Sequence, residues 1–197
     1  KIMPNVSGVK SKQIVFGTDT DAISAAGTAT TLVLLNSGPW VNAQTVTLTS
    51  SADNSGITFV VVGKDAAGAA QTSAATTGPD STTLSVAGTW TEVTSITASG
   101  SITTDISAGI TSGATTGIIF AGRTRVRSMT GVAGSGAGTI FIKNGSATSG
   151  QNRLILDVDN GSTIDPYIAD DGILCEDGAY FASAGTAVVG LSIQFDG

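Results

Sequence analysis

Six consecutive residues, Ile57-Thr-Phe-Val-Val-Val62, are β-branched or aromatic, and no other feature constrains the chain as tightly. Side chains branched at Cβ crowd a helical turn but stand well on a pleated sheet. The residues that follow keep the pattern. A charged, small-residue turn (Lys64, Asp65, Gly68) leads to a run of Gln, Thr, Ser and Ala, then to the corner Gly78-Pro79-Asp80, then to Trp90–Ile96. Strand, tight turn, strand, corner and strand predict an antiparallel meander over 57–97. No window places Leu, Glu, Lys and Ala at helical spacing; the best helical candidate is about two turns around Asp19–Ala26. With 26 glycines for turns and Thr and Val for strands, the composition also points to all-β.

Further strands are expected at Gln13–Phe16, Thr30–Leu35, Gln44–Thr49 and Ser101–Ile106, with Ile102, Ile106 and Ile110 inward and Trp40 covering a core edge. Roughly seven or eight strands in about 95 residues is the density of a sandwich or barrel. Ser107–Gly117, all small residues apart from Ile110, reads as a boundary or surface crossing. Strands then resume at Arg123–Val132, Thr139–Lys143, Arg153–Val158, Ser162–Ile168, Ile173–Cys175, Ala179–Ala182 and Ala187–Phe195, with Leu154, Leu156 and Val158 on one face. The expectation is an all-β chain: two small antiparallel β-sandwich or jelly-roll-like modules, residues 13–112 and 113–197, preceded by an extended basic N-terminal arm, residues 1–12.

Charge narrows the partners. Nine Lys and Arg against 15 Asp and Glu give a net −6, and an acidic surface does not favour nucleic acid or anionic membranes. The layout is uneven. Residues 1–12 carry Lys1, Lys10 and Lys12 with no acid (+3); residues 13–112 carry one Lys and seven acids (−6); residues 113–197 carry five basic and eight acidic side chains (−3). The basic head, with Pro4 and Gly8 and no period, cannot by itself offset backbone ordering of about 1–2 kcal/mol per residue. It either docks on a neighbouring subunit or frays. No stretch approaches the roughly 20 apolar residues of a membrane span, and no apolar segment of a signal peptide follows the basic start. The expectation is a soluble chain assembled in a reducing compartment.

Arg123, Arg125 and Arg127 are spaced by two and share one face of a strand. Their planar forks suit phosphate or carboxylate; without interleaved aromatics, on an acidic chain, ion pairing across a subunit boundary is the favoured reading. Candidate subunit-contact residues are therefore Lys1, Pro4, Lys10, Lys12, Arg123, Arg125 and Arg127. Asp157 and Asp159 share a face, and Asp170, Asp171, Glu176 and Asp177 cluster in turns. Such oxygens can hold Ca²⁺, but the Asp-x-Asp-x-Asp-Gly loop ending in Glu is absent, so a solvated rim or partners for the arginines is preferred. There is no histidine, which removes the commonest general base, zinc ligand and triad member. Gly134-Ser-Gly-Ala-Gly138 lacks the Lys-Ser/Thr ending of a phosphate loop. The lone Cys175, among apolar neighbours, reads as a buried thiol. Paired-carboxylate hydrolysis stays open on sequence alone, although acids and aromatic platforms are sparse. The reading is of a protein that is not an enzyme and has no cofactor.

Two segments resemble something known. Ile57-Thr-Phe-Val-Val-Val-Gly-Lys-Asp-Ala-Ala-Gly-Ala-Ala-Gln-Thr72, with Thr77-Gly-Pro-Asp80 and Trp90-Thr-Glu-Val-Thr-Ser-Ile-Thr97, resembles a pattern in structural proteins of tailed bacteriophages, especially marine ones: an apolar strand, a G-x-D-x-x-G-x-x-x-T turn, a T-G-P corner and a V-T-S-I strand. Ile164-Asp-Pro-Tyr-Ile-Ala-Asp-Asp-Gly-Ile-Leu-Cys-Glu-Asp-Gly-Ala-Tyr180 is similar to the I-P-x-x-G-I-x-F-x-D-G-x-Y ending of small phage β-modules, with Cys175 in place of the usual aromatic and Asp170-Asp171 enlarging the turn. The resemblance implies a non-enzymatic virion subunit present in many copies as a homotrimer. It would be a capsid decoration (cement) protein that stabilises the head by bridging major capsid subunits, located on the capsid surface after assembly in the host cytoplasm. A tail, neck or fibre component is the alternative. A carbohydrate-binding or adhesin module comes third, because aromatic residues make up only 5 % of the chain.

Overall fold

The computed structural model describes residues 8–15, 18–102, 104–111, 116–184 and 188–197. Among the described residues there are strands and turns but no helix, and the strands form several antiparallel sheets, as the all-β reading expects. The chain divides into two compact units, Phe16–Ala114, and Lys1–Val15 with Thr115–Gly197. The first strand, β1 (Val9–Val15), thus belongs with the second half of the chain.

The unit Phe16–Ala114 contains β2 (Thr18–Gly27), β3 (Thr45–Ser50), β4 (Thr58–Lys64), β5 (Ala70–Thr72), β6 (Thr76–Thr77), β7 (Thr83–Ser85), β8 (Glu92–Ala98) and β9 (Ile106–Thr111). One sheet runs β2-β9-β3-β7; in the other, β5 and β6 lie along one edge of β4 and β8 along the other. Gln44 and Trp90 exchange two backbone hydrogen bonds of 2.8 Å, linking the approaches to β3 and β8. Trp40, Leu48, Phe59, Trp90, Ile96 and Ile106 of this unit are fully buried. Ile102 and Ile110 are buried as well.

The meander over 57–97 is only partly what forms. Its opening hairpin is present: Asp65 Oδ1 accepts from the amides of Ala67 (2.8 Å) and Ala69 (2.9 Å), while Gly68 takes the left-handed conformation the turn requires (φ +81°). Ser73 carries the ladder between β5 and β6, its amide donating to Val61 O and its Oγ accepting from Val61 N. At the corner the chain leaves the sheet. Pro79 has no N–H to continue a ladder; its carbonyl accepts from Asn54 N, and β7 pairs with β3 in the other sheet before β8 returns to β4.

Other expectations change, and among the described residues of the expected strand Ser101–Ile106, Ile106 alone is in a strand, as the first residue of β9. Thr30–Leu35 is not a strand: Thr31 makes an isolated bridge to Thr97, Leu32 is buried, and Val33 and Leu35 stay 71 % and 68 % exposed. Asp19–Ala26 is not helical but lies in β2, whose register against β9 slips between Asp19 and Ser24 and again before Gly27. Ser107–Gly117 is not simply a crossing. Its first part lies in β9, the strand between β2 and β3, with Ser107 to Ile110 buried, while residues 112–115 fall outside the described residues. Small side chains place this strand at the centre because they let neighbours come close. A Cβ on Gly109 would run into the backbone of Asp19 and Thr20.

The other unit contains β1 with β10 (Thr116–Phe120), β11 (Thr124–Ala133), β12 (Gly138–Asn144), β13 (Gln151–Val158), β14 (Thr163–Ile164), β15 (Ile173–Cys175), β16 (Ala179–Ala184) and β17 (Val188–Asp196). One sheet is β1-β17-β11-β14 with β15 also on β11, and the second is β10-β16-β12-β13. Ile14, Val126, Met129, Ile193 and Phe195 of the first sheet and Ile119, Ile140, Ile142 and Phe181 of the second are buried. Phe120 meets Phe195 with ring centroids 5.8 Å apart. This is the layering of a β-sandwich. Leu154 and Leu156 are half-buried and Val158 buried, whereas Ile155 between them is exposed, so the expected face is correct.

Because Gly109 has no room for a methyl group, Gly109→Ala is expected to destabilise its unit by about 1–3 kcal/mol. Both tryptophans lie in that unit, so urea unfolding followed by tryptophan fluorescence reads it directly. Gly56→Ala, at an exposed position with open space for a Cβ, is the control and should stay within about 0.5 kcal/mol of the parent.

Candidate interaction surface

The expected contact residues separate into three groups. Lys1 and Pro4 lie outside the described residues. Lys10 and Lys12 belong to β1, which pairs with β17 along its whole length, so residues 9–12 lie in the edge strand of a sheet. Lys10 stands in a row with Phe195 and Val126, and Lys12 in a row with Ile193 and Met129. Those four partners are buried, so both lysines lie on the core side of the sheet. Their long stems follow apolar surface while the ammonium groups reach the sandwich rim. Lys10 Nζ sits 5.7 Å from the Phe120 ring centroid, and Lys12 Nζ donates to Ile118 O at 3.1 Å. Burial pushes the Lys12 ammonium below its ordinary 10.5.

Arg125 and Arg127 lie on the opposite side of that sheet. Arg125 is in a row with Asp196, and Arg127 occupies the bulge where the β11–β17 register shifts between Val126 and Ser128. Arg127 Nε and Nη2 reach Asp196 Oδ2 at 2.7 and 2.5 Å. This hydrogen bond raises the guanidinium pKa further. Its Nη1 donates to Asp170 O at 2.8 Å, and Arg125 Nη1 donates to Asp171 O at 2.7 Å. Arg127 thus makes an ion pair within the chain, with Asp196. Both arginines also hold the 169–172 turn through its carbonyls. Arg123 is exposed ahead of β11 and borders an open depression of about 300 Å³ with Thr124, Arg125, Leu174, Asp196 and Gly197.

The carboxylates considered for Ca²⁺ do not converge: among the described residues no group of three or more metal-ligating side chains forms. Asp157 Oδ1 accepts from Thr139 Oγ1 (2.8 Å), and Asp177 accepts from Asn144 Nδ2 (2.9 Å) while its amide donates to Asn144 Oδ1 (3.0 Å). Cys175 is fully buried, and desolvation pushes its thiol up against a smaller opposing pull from Arg153. The position of Lys10 and Lys12 on the core face was readable from the alternation Lys10, Lys12, Ile14 once a strand is assumed. The bulge at Arg127 has no signal in the sequence. No protein-family model, no curated protein and no solved structure matches this chain.

Two outcomes follow. The folded protein releases the Lys12 proton at lower pH than the unfolded chain, so the desolvation penalty is complete below the folded pKa and is relieved as pH rises toward 10.5. Stability contributed by this residue therefore rises with pH on the alkaline side, and Lys12→Met should remove that slope in melting curves compared with the parent. In Arg127→Ala the 169–172 segment loses one anchor, and its amides should exchange with deuterium several-fold faster while β12 and β16 amides keep their protection.

Proposed function

We propose that this chain is a structural protein of a tailed-phage virion, in first place a capsid decoration (cement) protein that acts as a homotrimer and bridges major capsid subunits. One observation carries the reading: in both segments that resemble phage proteins, polar groups are engaged in building turns. Asp65 and Gly68 form the β4–β5 turn, and Asn54 and Pro79 join at the Thr77-Gly-Pro corner. In the second segment Asp177 pairs with Asn144, and the Asp170 and Asp171 carbonyls are held by Arg127 and Arg125. Such use supports a scaffold whose task is contact. A cement protein stabilises a shell only by binding the assembled form better than free subunits. Under this reading, residues 1–7 and the exposed Arg123 are the first candidates for shell contact.

The test uses purified full-length chain and expanded phage shells lacking it. The chain should sediment with shells at a copy number comparable to that of the shell subunits and raise their melting temperature. A copy number matching a single ring would assign it to neck or tail, and no binding to any particle would overturn the virion reading. Removing residues 1–7 is the informative truncation, because a cut at residue 12 would also strip half of β1 from β17. It should lower shell occupancy at least tenfold while leaving the β-sheet circular dichroism unchanged.

A further inference from the structure

We propose that the outer face of the β10-β16-β12-β13 sheet is a self-association surface, on which the same face of a second copy packs about a two-fold axis. The inner face is committed to the core of its own unit, where Ile119, Ile140, Ile142 and Phe181 are fully buried. Residues alternating with these point away from that core, and the strand registers set them in rows across the sheet. Ala182, Phe141 and Ile155 stand side by side in the central row. Ile118, Tyr180 and Lys143 form the row on one side of it, and Thr139 and Asp157 lie in the row on the other. Lys143 Nζ is 5.2 Å from the Phe141 ring centroid, as neighbours on one face should be. These rows use only the regular part of each ladder. The β12–β13 register is unbroken from Val158 to Leu154, so the bulged Arg153 takes no part, and β10 slips against β16 only after Ile118.

An apolar strip therefore runs obliquely over all four strands. Ile155 is 57 % exposed, Ile118 is 40 % exposed, and Phe141 and Tyr180 are half-buried between them. Apolar residues scattered singly over a surface need no explanation, but a contiguous patch rimmed by polar groups marks a contact. The rim selects the occupant. Lys143 flanks the central row on one side and Asp157 on the other, and among the described residues neither forms an ion pair. Together they carry no net charge, so the face offers nothing to a strongly basic or acidic partner. It does let a chain of net charge −6 meet its own copy without setting acid against acid. A two-fold axis along the central row lays Phe141 and Ile155 over their counterparts and exchanges the flanks. The Lys143 side of each copy then faces the Asp157 side of the other, twice over. One patch thus serves as its own complement, as a two-fold contact requires. Sheets packed face to face lie about 10 Å apart, which a lysine side chain can bridge. This contact stands independently of the virion reading and of any three-fold contact.

Charge reversal tests the alignment. In sedimentation equilibrium over a concentration series, the parent should associate pairwise. Lys143→Glu or Asp157→Lys alone sets like charges across the axis and should raise the dissociation constant roughly tenfold or more. The double exchange should return it to within about threefold of the parent. A second measurement leaves both charges in place. Ile155→Cys sets two thiols across the axis on Cα atoms about 10 Å apart, too far for a direct disulfide but within the span of a short bis-maleimide. The reagent should link this variant into dimers rapidly. Val132→Cys, at a position 53 % exposed on a strand of the other sheet, should link slowly, and the parent not at all because Cys175 is buried. Equal linking of Ile155→Cys and Val132→Cys, or an association unaffected by single and double reversals, would overturn the proposal. So would a parent that shows no pairwise association across the series, including one whose face takes a glycan or another protein instead.

Discussion

Lateral backbone pairing is the constraint on which the rest of the structure depends. With strands and turns alone among the described residues, amide and carbonyl groups find partners on adjacent strands or leave them at an edge. The chain meets this demand with many short strands and by letting side chains repair the gaps. Ser73 keeps the ladder intact between β5 and β6, and Asp65 closes the turn before it. Small residues then decide which strand can be central. β9 sits between β2 and β3 because Ser107, Ala108 and Gly109 admit close neighbours. The composition that lowers side-chain entropy loss also allows this packing.

The same property explains where reading the sequence succeeded. β13 was legible because its side chains and its burial both keep a period of two, and β4 because its run of β-branched and aromatic residues is unbroken. β9 was not, since a strand buried on both faces and built of small residues carries no alternation and resembles a linker. Thr30–Leu35 failed in the opposite way: its apolar content is that of a strand, but its backbone bonds are few and go to Ile96, Ala98 and Ile23. The placement of β1 with β17 is a matter of pairing between distant segments, which no local pattern records. Of the candidate contact residues, Arg125 and Arg127 were legible as neighbours on a strand. Their use on Asp196 and on the carbonyls of Asp170 and Asp171 was not, because it depends on a bulge and on a turn more than 40 residues away.

Charges in the unit built from β1 and β10–β17 therefore have two distinct uses. Some hold the chain to itself, as Arg127 does with Asp196 and Asn144 with Asp177. Others stand at sheet edges, where their effect depends on which face they occupy. On β1, Lys10 and Lys12 lie on the core side and bring ammonium groups to the sandwich rim. A second copy pairing along β1 would enclose those groups and add to a desolvation that already depresses the Lys12 pKa. That edge is therefore guarded. On β13 the strand itself is broken instead: its register against β12 shifts between Ile142 and Lys143, leaving Arg153 as an extra, bulged residue. The two edges are thus interrupted by different means, inward like charges on β1 and a bulge on β13.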